Sequence, residues 1–168
     1  MKVSVREASR QYGVPFPFTL EETVEDFTYG GLTVSLAGPA KLAGTVTGDG
    51  KAFTVEAEGQ VVLRGNCDRC LEPYEQPLAF SLSERFVREN AEEEEAYPYC
   101  GDELELDRPF LDNMLLSMPI IHLCREDCRG LCPVCGMNLN KGVCQCARTE
   151  KKSAFDILRT MSFDNKEV

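Results

Sequence analysis

Histidine occurs once in this chain, at His122, and that scarcity excludes much catalytic chemistry. A Ser/His/Asp relay needs a histidine held between nucleophile and acid. No such set assembles around a single histidine that sits two residues before a cysteine. No stretch approaches the roughly 18 consecutive apolar residues of a membrane helix. No GxxxxGK[ST] or GxGxxG loop is present to cradle phosphates. No internal repeat of about 20–50 residues is visible. The opening Met1-Lys2-Val3-Ser4-Val5-Arg6-Glu7 has neither the apolar stretch nor the cleavage site of a secretory signal. The expected compartment is therefore the reducing cytoplasm, with no membrane contact.

Positive charge is also scarce. The net charge is −10 over 168 residues, which offers no general surface for phosphates and argues against DNA as a partner. The deficit is uneven. Residues 1–118 carry ten Lys/Arg against twenty-two Asp/Glu, whereas residues 119–168 carry eight against six. Any contact with RNA is expected at the second of these segments. The acidic run Ala91-Glu92-Glu93-Glu94-Glu95-Ala96 has no hydrophobic period and reads, with residues 91–102 around it, as a solvated loop.

What is abundant is β-pattern, followed by cysteine. Phe16, Phe18, Leu20 and Val24 fall at even spacing, as do Leu32, Val34 and Leu36. Leu42 and Val46 lead into Gly48-Asp49-Gly50, a hairpin signal. Beyond it Phe53, Val55, Ala57, Val61 and Leu63 share one face, and Thr54, Glu56, Glu58, Gln60 and Arg64 share the other. Leu78, Phe80, Leu82 and Phe86 repeat the period. One-sided alternation with short connections predicts antiparallel strands with one wet face, as a meander or a partly open barrel. A helix follows, with Asp107 as its expected N-cap, Pro109 in its first turn and Pro119 ending it. Phe110, Leu111, Met114, Leu115 and Met118 form a stripe that covers the sheet. Ser153 suits the cap of a short final helix bearing Phe155, Ile157, Leu158 and Met161. The expected class is α+β. A β-rich body and its helix occupy residues 1–118, a cysteine module residues 119–148 and a helical tail residues 149–168.

There are nine cysteines, an odd number that suits a closed disulfide framework poorly. Cys100 has no near partner and reads as a spare thiol. The other eight form four pairs: Cys67/Cys70, Cys124/Cys128, Cys132/Cys135 and Cys144/Cys146. Structural zinc takes four thiolates in a closed tetrahedron, so four pairs suffice for two ions. Gly136 after Cys135 gives its knuckle a residue that tolerates positive φ, whereas Leu71 after Cys70 lacks that freedom. Three residues separate Cys128 from Cys132, too few for the two pairs to face each other across one ion. The preferred assignment puts Cys67, Cys70, Cys124 and Cys128 at one zinc and Cys132, Cys135, Cys144 and Cys146 at a second. A single compact site of Cys124, Cys128, Cys132 and Cys135 remains the alternative. An all-cysteine set with no open position points to structural metal and no catalysis. A redox or RNA-modifying enzyme using Cys67/Cys70 is the third reading, but the flanks of the pair read as strand and turn, without the helix N-terminus of a thioredoxin-type redox motif.

The run Arg64-Gly65-Asn66-Cys67-Asp68-Arg69-Cys70-Leu71, then Leu115-Leu116-Ser117-Met118-Pro119-Ile120, then Cys128-Arg129-Gly130-Leu131-Cys132-Pro133-Val134-Cys135-Gly136-Met137-Asn138-Leu139-Asn140 with Cys144-Gln145-Cys146, resembles the extended cysteine form of the YceD family. These are the large ribosomal RNA subunit accumulation proteins. The tail departs from the family's usual Asp-Pro-Arg start, having Glu150-Lys151-Lys152-Ser153. The resemblance implies a bacterial or plastid-type ribosome-biogenesis factor with no established enzymatic activity. Its expected partners are a ribosomal RNA precursor or large-subunit assembly proteins. Arg129, Lys141, Arg148, Lys151 and Lys152 are the candidate contacts. A zinc-stabilised protein adaptor that never touches RNA is the second reading, favoured by the charge.

Overall fold

The computed structural model describes residues 1–91 and 96–146. The strands are β1 (Lys2–Ser4), β2 (Pro15–Glu22), β3 (Phe27–Tyr29), β4 (Leu32–Leu36), β5 (Ala40–Gly48), β6 (Ala52–Asn66), β7 (Pro73–Arg88), β8 (Tyr97–Tyr99) and β9 (Glu103–Glu105). Among the described residues there is one helix, α1, which spans Asp107–Ser117. The class is α+β, with a mostly antiparallel sheet. The expected final helix, including Ser153, lies outside the described residues.

The backbone of the fold is the β6–β7 hairpin, whose ladder runs from Ala52↔Val87 to Asn66↔Pro73. On the other edge of β6, β5 pairs along Lys41↔Gln60 to Gly48↔Phe53, and β2 pairs outside β5. The same edge of β6 is then taken by β4, through Ser35↔Arg64 and Leu36↔Leu63. β4 in turn carries β3. Two strands thus share one edge, so the order is not a simple meander, and the sheet stays open.

The alternation of β6 explains its placement. Phe53, Val55, Ala57, Val61 and Leu63 are all buried. The gap in that series at Gly59 has a steric cause. Phe80 is its register partner, and a Cβ on Gly59 would clash with the Phe80 ring. Phe80 also meets Phe110 of α1 edge-on, with ring centroids 5.2 Å apart. That contact seats the helix, which buries Pro109, Phe110 and Met114. Leu111, Leu115 and Met118 pack partly buried against the same core.

The turn between β5 and β6 is built on Asp49. Its Oδ1 accepts from the backbone N–H of Lys51 at 2.8 Å and of Ala52 at 2.7 Å, while Gly50 takes φ of 90°. Those two N–H groups, with the Arg85 guanidinium 3.1 Å away, hold the Asp49 carboxyl down to about 2.

Two expectations need correction. Asp107 does not cap α1: Leu106 is the N-cap, without a side-chain bond, and Asp107 is the first helical residue. Its carboxylate accepts from the Met1 ammonium at 2.7 Å instead. Residues 91–102 are not all loop, because Tyr97–Tyr99 adds a parallel strand on β7 through Phe86↔Tyr97. The chain's first residues and Glu103–Glu105, for which the sequence offers no strand signal, pair as β1 and β9. Three-residue strands carry too little period to show as alternation. Among the described residues no helix is long and apolar enough to cross a membrane.

Candidate metal centres

The loop that joins β6 to β7 is itself a cysteine knuckle. The ladder ends at Asn66↔Pro73, and the six residues between them are Cys67 to Glu72. Cys67 N–H donates to the Glu72 carbonyl at 2.9 Å, and Leu71 N–H donates to the Cys67 carbonyl at 2.8 Å. The turn requires a left-handed residue after its second cysteine. Leu71 takes that conformation, with φ of 61°, although it has a Cβ and lacks the freedom of a glycine, so the first knuckle is the less ideal of the two.

The segment after α1 folds down onto this knuckle. His122 N–H donates to Asp68 Oδ2 at 2.6 Å, and Asp68 N–H donates to the His122 carbonyl at 2.8 Å. This pins the chain two residues before Cys124. The sulfurs of Cys67, Cys70, Cys124 and Cys128 then lie within 4.8 Å of one another. The Cys67–Cys128 and Cys70–Cys124 Sγ pairs are each 3.7 Å apart. Cys67, Cys70 and Cys128 are buried, and Cys124 is exposed.

A second group follows. Cys132 N–H donates to the Met137 carbonyl at 2.8 Å, and Gly136 N–H donates to the Cys132 carbonyl at 2.9 Å, with Gly136 at φ of 72°. The sulfurs of Cys132, Cys135, Cys144 and Cys146 lie within 4.8 Å of one another. This group is closer to the surface, since only Cys132 is buried. Cys128 and Cys132 fall in different groups, and the compact four-cysteine alternative is not formed.

The two groups are stitched together by polar residues. Leu131 N–H donates to the Arg69 carbonyl at 3.1 Å, and Arg69 Nη1 donates to the Cys128 carbonyl at 3.1 Å. Asn140 Oδ1 accepts from Arg129 N–H at 2.8 Å, and Asn140 Nδ2 donates to Cys128 Sγ at 3.3 Å. Glu72 Oε1 accepts from Asn138 Nδ2 at 3.3 Å and from Lys141 Nζ at 2.7 Å. Sequence reasoning assigned no role to Asn138, Asn140, Arg69 or Glu72. The Asn-x-Asn spacing right after the second knuckle was the available signal.

The donor set fits a thiophilic ion. Zinc–sulfur bonds of about 2.3 Å in a tetrahedron place sulfurs about 3.8 Å apart, close to the 3.7 Å pairs found. The thiols within each group differ in their electrostatics. At Cys67, burial pushes the pKa up, but the N–H groups of Cys124, Cys70 and Arg69 outweigh it and bring the thiol down to about 6. The N–H groups of Cys135 and Val134 bring Cys132 down to about 6. Burial and the neighbouring thiols push Cys124 up to about 12. Cys146 is pushed up to about 12 by Cys135 and by burial. Each group thus has one thiol drawn down by backbone N–H groups and one pushed up by burial and its neighbours. Both groups can hold metal ions.

Other candidates fall elsewhere. Cys100 is exposed and belongs to neither group. His122 is not in either group, and its Nδ1 lies 3.6 Å from Asp68 Oδ2. Arg129 is exposed, and Lys141 is engaged by Glu72. Arg148, Lys151 and Lys152 lie outside the described residues.

Comparison with known proteins places this arrangement among relatives. An uncharacterized protein of Mycobacterium tuberculosis and one of Mycobacterium bovis are each 36% identical over 81 residues, 45% of this chain and 39% of theirs. The chloroplastic YCED homolog 1 of Arabidopsis thaliana, titled a large ribosomal RNA subunit accumulation protein, is 28% identical over 99 residues, covering 50% of this chain and 31% of its own. The chain spans about two fifths or less of the length of these curated relatives. No solved structure matches it. The family model described as large ribosomal RNA subunit accumulation protein YceD matches residues 55–162, from within β6 through both cysteine groups, and the chain accordingly belongs to the YceD family.

Proposed function

We propose that this protein is a non-enzymatic ribosome-biogenesis factor that supports accumulation or processing of large-subunit ribosomal RNA in the cytoplasm of a bacterium. The observation that carries the reading is the family match over residues 55–162, which takes in both cysteine groups. The metal in this reading is zinc, one ion per group, in a structural role. All four donors at each site are cysteines, so no coordination position is left for water or substrate. Residues 1–118 act as scaffold and residues 119–148 as a module fastened to it through Cys67 and Cys70. Arg129, Lys141, Arg148, Lys151 and Lys152 are its RNA or partner contacts. Loss of the gene lowers large-subunit RNA relative to small-subunit RNA and depletes large subunits in a sedimentation profile. Normal profiles in cells lacking the gene refute the assembly role.

A second reading is favoured by charge. The chain carries −10, and four thiolates around a dication leave a further −2 at each site. Such a surface suits a basic protein better than a phosphate backbone. Capture of a protein partner that survives nuclease treatment, without salt-sensitive RNA binding by the purified chain, selects this adaptor reading.

A further inference from the structure

Beside the first cysteine group the sheet opens into a cleft of about 390 Å³. Its origin is the divided edge of β6. The β4–β6 ladder holds only Ser35↔Arg64 and Leu36↔Leu63. Beyond them Thr33 and Val34 turn away to pair with β3, and Gly65 and Asn66 run on without them. The floor of the gap is apolar, from Val34, Leu63 and Met118. Its wall carries two aromatic rings, Tyr74 and His122, with centroids 6.4 Å apart and planes inclined by 41°.

We propose that this cleft binds a single unpaired nucleobase of RNA. The inference rests on the ribosomal RNA reading and names the feature of RNA that is recognised. Three features support it. The Tyr74 ring is mostly buried, at 8% exposure for the residue, while its hydroxyl has no partner among the described residues and is therefore open to solvent at the cleft. The Asn66 amide at the rim is likewise without one. A phenol hydroxyl open to the cleft and the exposed Asn66 amide beside it match the mixed donor–acceptor edge of a base. Second, the rings are held in place. Tyr74 lies over Gly65, where a Cβ would sit 3.4 Å from its Cε1. His122 is fixed by its two backbone hydrogen bonds to Asp68 of the knuckle. Third, the cleft offers no unpaired cation among the described residues: Arg64 Nε lies 3.2 Å from Glu75 Oε1, and Asp68 adds a negative charge to the lining. Recognition here does not run through phosphate. An extended peptide fits less well, because the unpaired edge at Gly65 and Asn66 is about 7 Å of strand, too short for a paired segment.

The proposal reconciles an acidic chain with RNA, since stacking and base-edge bonds replace phosphate contacts. The test uses the metal-loaded full chain with short unstructured oligouridylate and oligoadenylate, and an abasic sugar–phosphate oligomer of equal length. The base-bearing oligomers bind with an affinity that changes little with salt, and the abasic one does not bind. His122→Ala and Asn66→Ala each weaken binding by about tenfold with metal content unchanged. Tyr74→Phe, which keeps the ring, gives a smaller loss. The inference is overturned by equal binding of the abasic oligomer, by a steep salt dependence, by variants that bind like the parent, or by no binding of any oligomer. A photo-crosslinker at Thr33 that captures protein instead of RNA in cells also overturns it. Where one of these results overturns the cleft inference, a fall in large-subunit RNA in cells lacking the gene leaves the ribosomal reading standing, and normal large-subunit RNA refutes that reading as well.

Discussion

Leu71 and Gly136 stand at the same place in two copies of one turn. Each follows the second cysteine of a CxxC knuckle, and each donates its N–H to the carbonyl of the first, at 2.8 and 2.9 Å. Each takes a left-handed backbone, φ of 61° and 72°. Only the glycine does so without steric cost.

Leu71 is 65% exposed, so its side chain contributes little burial to set against that cost. A left-handed leucine costs about 1–2 kcal/mol. Part of the relief from glycine returns as unfolded-chain entropy, about 0.4–1 kcal/mol. Leu71→Gly is therefore expected to stabilise the metal-loaded chain by about 0.5–1 kcal/mol, read as a higher Tm at unchanged metal content. A lower Tm shows that the leucine side chain holds the knuckle in a way its exposure conceals.

Metal analysis of the purified chain is expected to give two zinc ions per molecule. Chelator removes them in two phases, the group with one buried cysteine (Cys132) before the group with three. Cys144→Ser leaves the thermal transition of the β-sheet near its parent value. Cys67→Ser lowers it severely, because a structural zinc site contributes on the order of 10 kcal/mol. Stoichiometric iron with visible absorption, or equal damage from both variants, contradicts the assignment.

The Gly59–Phe80 contact is a sharp test of the core. Gly59→Ala places a methyl where the Phe80 ring lies and is expected to cost about 1–3 kcal/mol. Phe80→Ala removes the ring that seats Phe110 and costs about 3–5 kcal/mol. Denaturant midpoints of the metal-loaded forms check both. A combined variant whose loss falls well short of the two separate losses shows that the glycine exists for that ring.

Asp49 gives a pH dependence of known sign. Its folded pKa, about 2, lies below the ordinary 3.8. The stabilisation is full above pH 3.8 and is lost as the pH falls toward about 2. Thiolate sites release metal in acid as their ligands protonate, so parent and Asp49→Asn are compared at each pH under the same metal conditions, where that shared loss drops out of the difference. The variant is less stable at neutral pH and converges on the parent near pH 2. Parallel curves mean that the turn does not depend on this charge.

How much of this was legible in advance differs by element. The one-sided pattern from Phe53 to Leu63 marked β6 because a long strand with one wet face writes its period into the sequence. The strand at Tyr97–Tyr99 left no such mark, since three residues hold one and a half periods. The three-residue spacer between Cys128 and Cys132 could be read as a steric limit. The docking of one knuckle on the other could not, because it depends on backbone carbonyls such as those of Arg69 and Cys128, which no side-chain pattern encodes. Leu71 shows the complementary case: a propensity rule gave way to a ring of hydrogen bonds and sulfurs around it.

The first centre sits at the tip of the longest hairpin, yet half its donors arrive late. Cys70 and Cys124 are 54 residues apart, and Cys67 and Cys128 are 61 apart. A chain emerging from the ribosome presents Cys67 and Cys70 long before their partners exist. Closing that loop carries an entropic penalty that grows only slowly with its length, so timing, not distance, governs the event. Ion capture there has to wait until the chain has been synthesised through Cys128, after β7, β8, β9 and α1. The long hairpin is thus closed last at its own turn, and an ion held there would record that synthesis has passed that point.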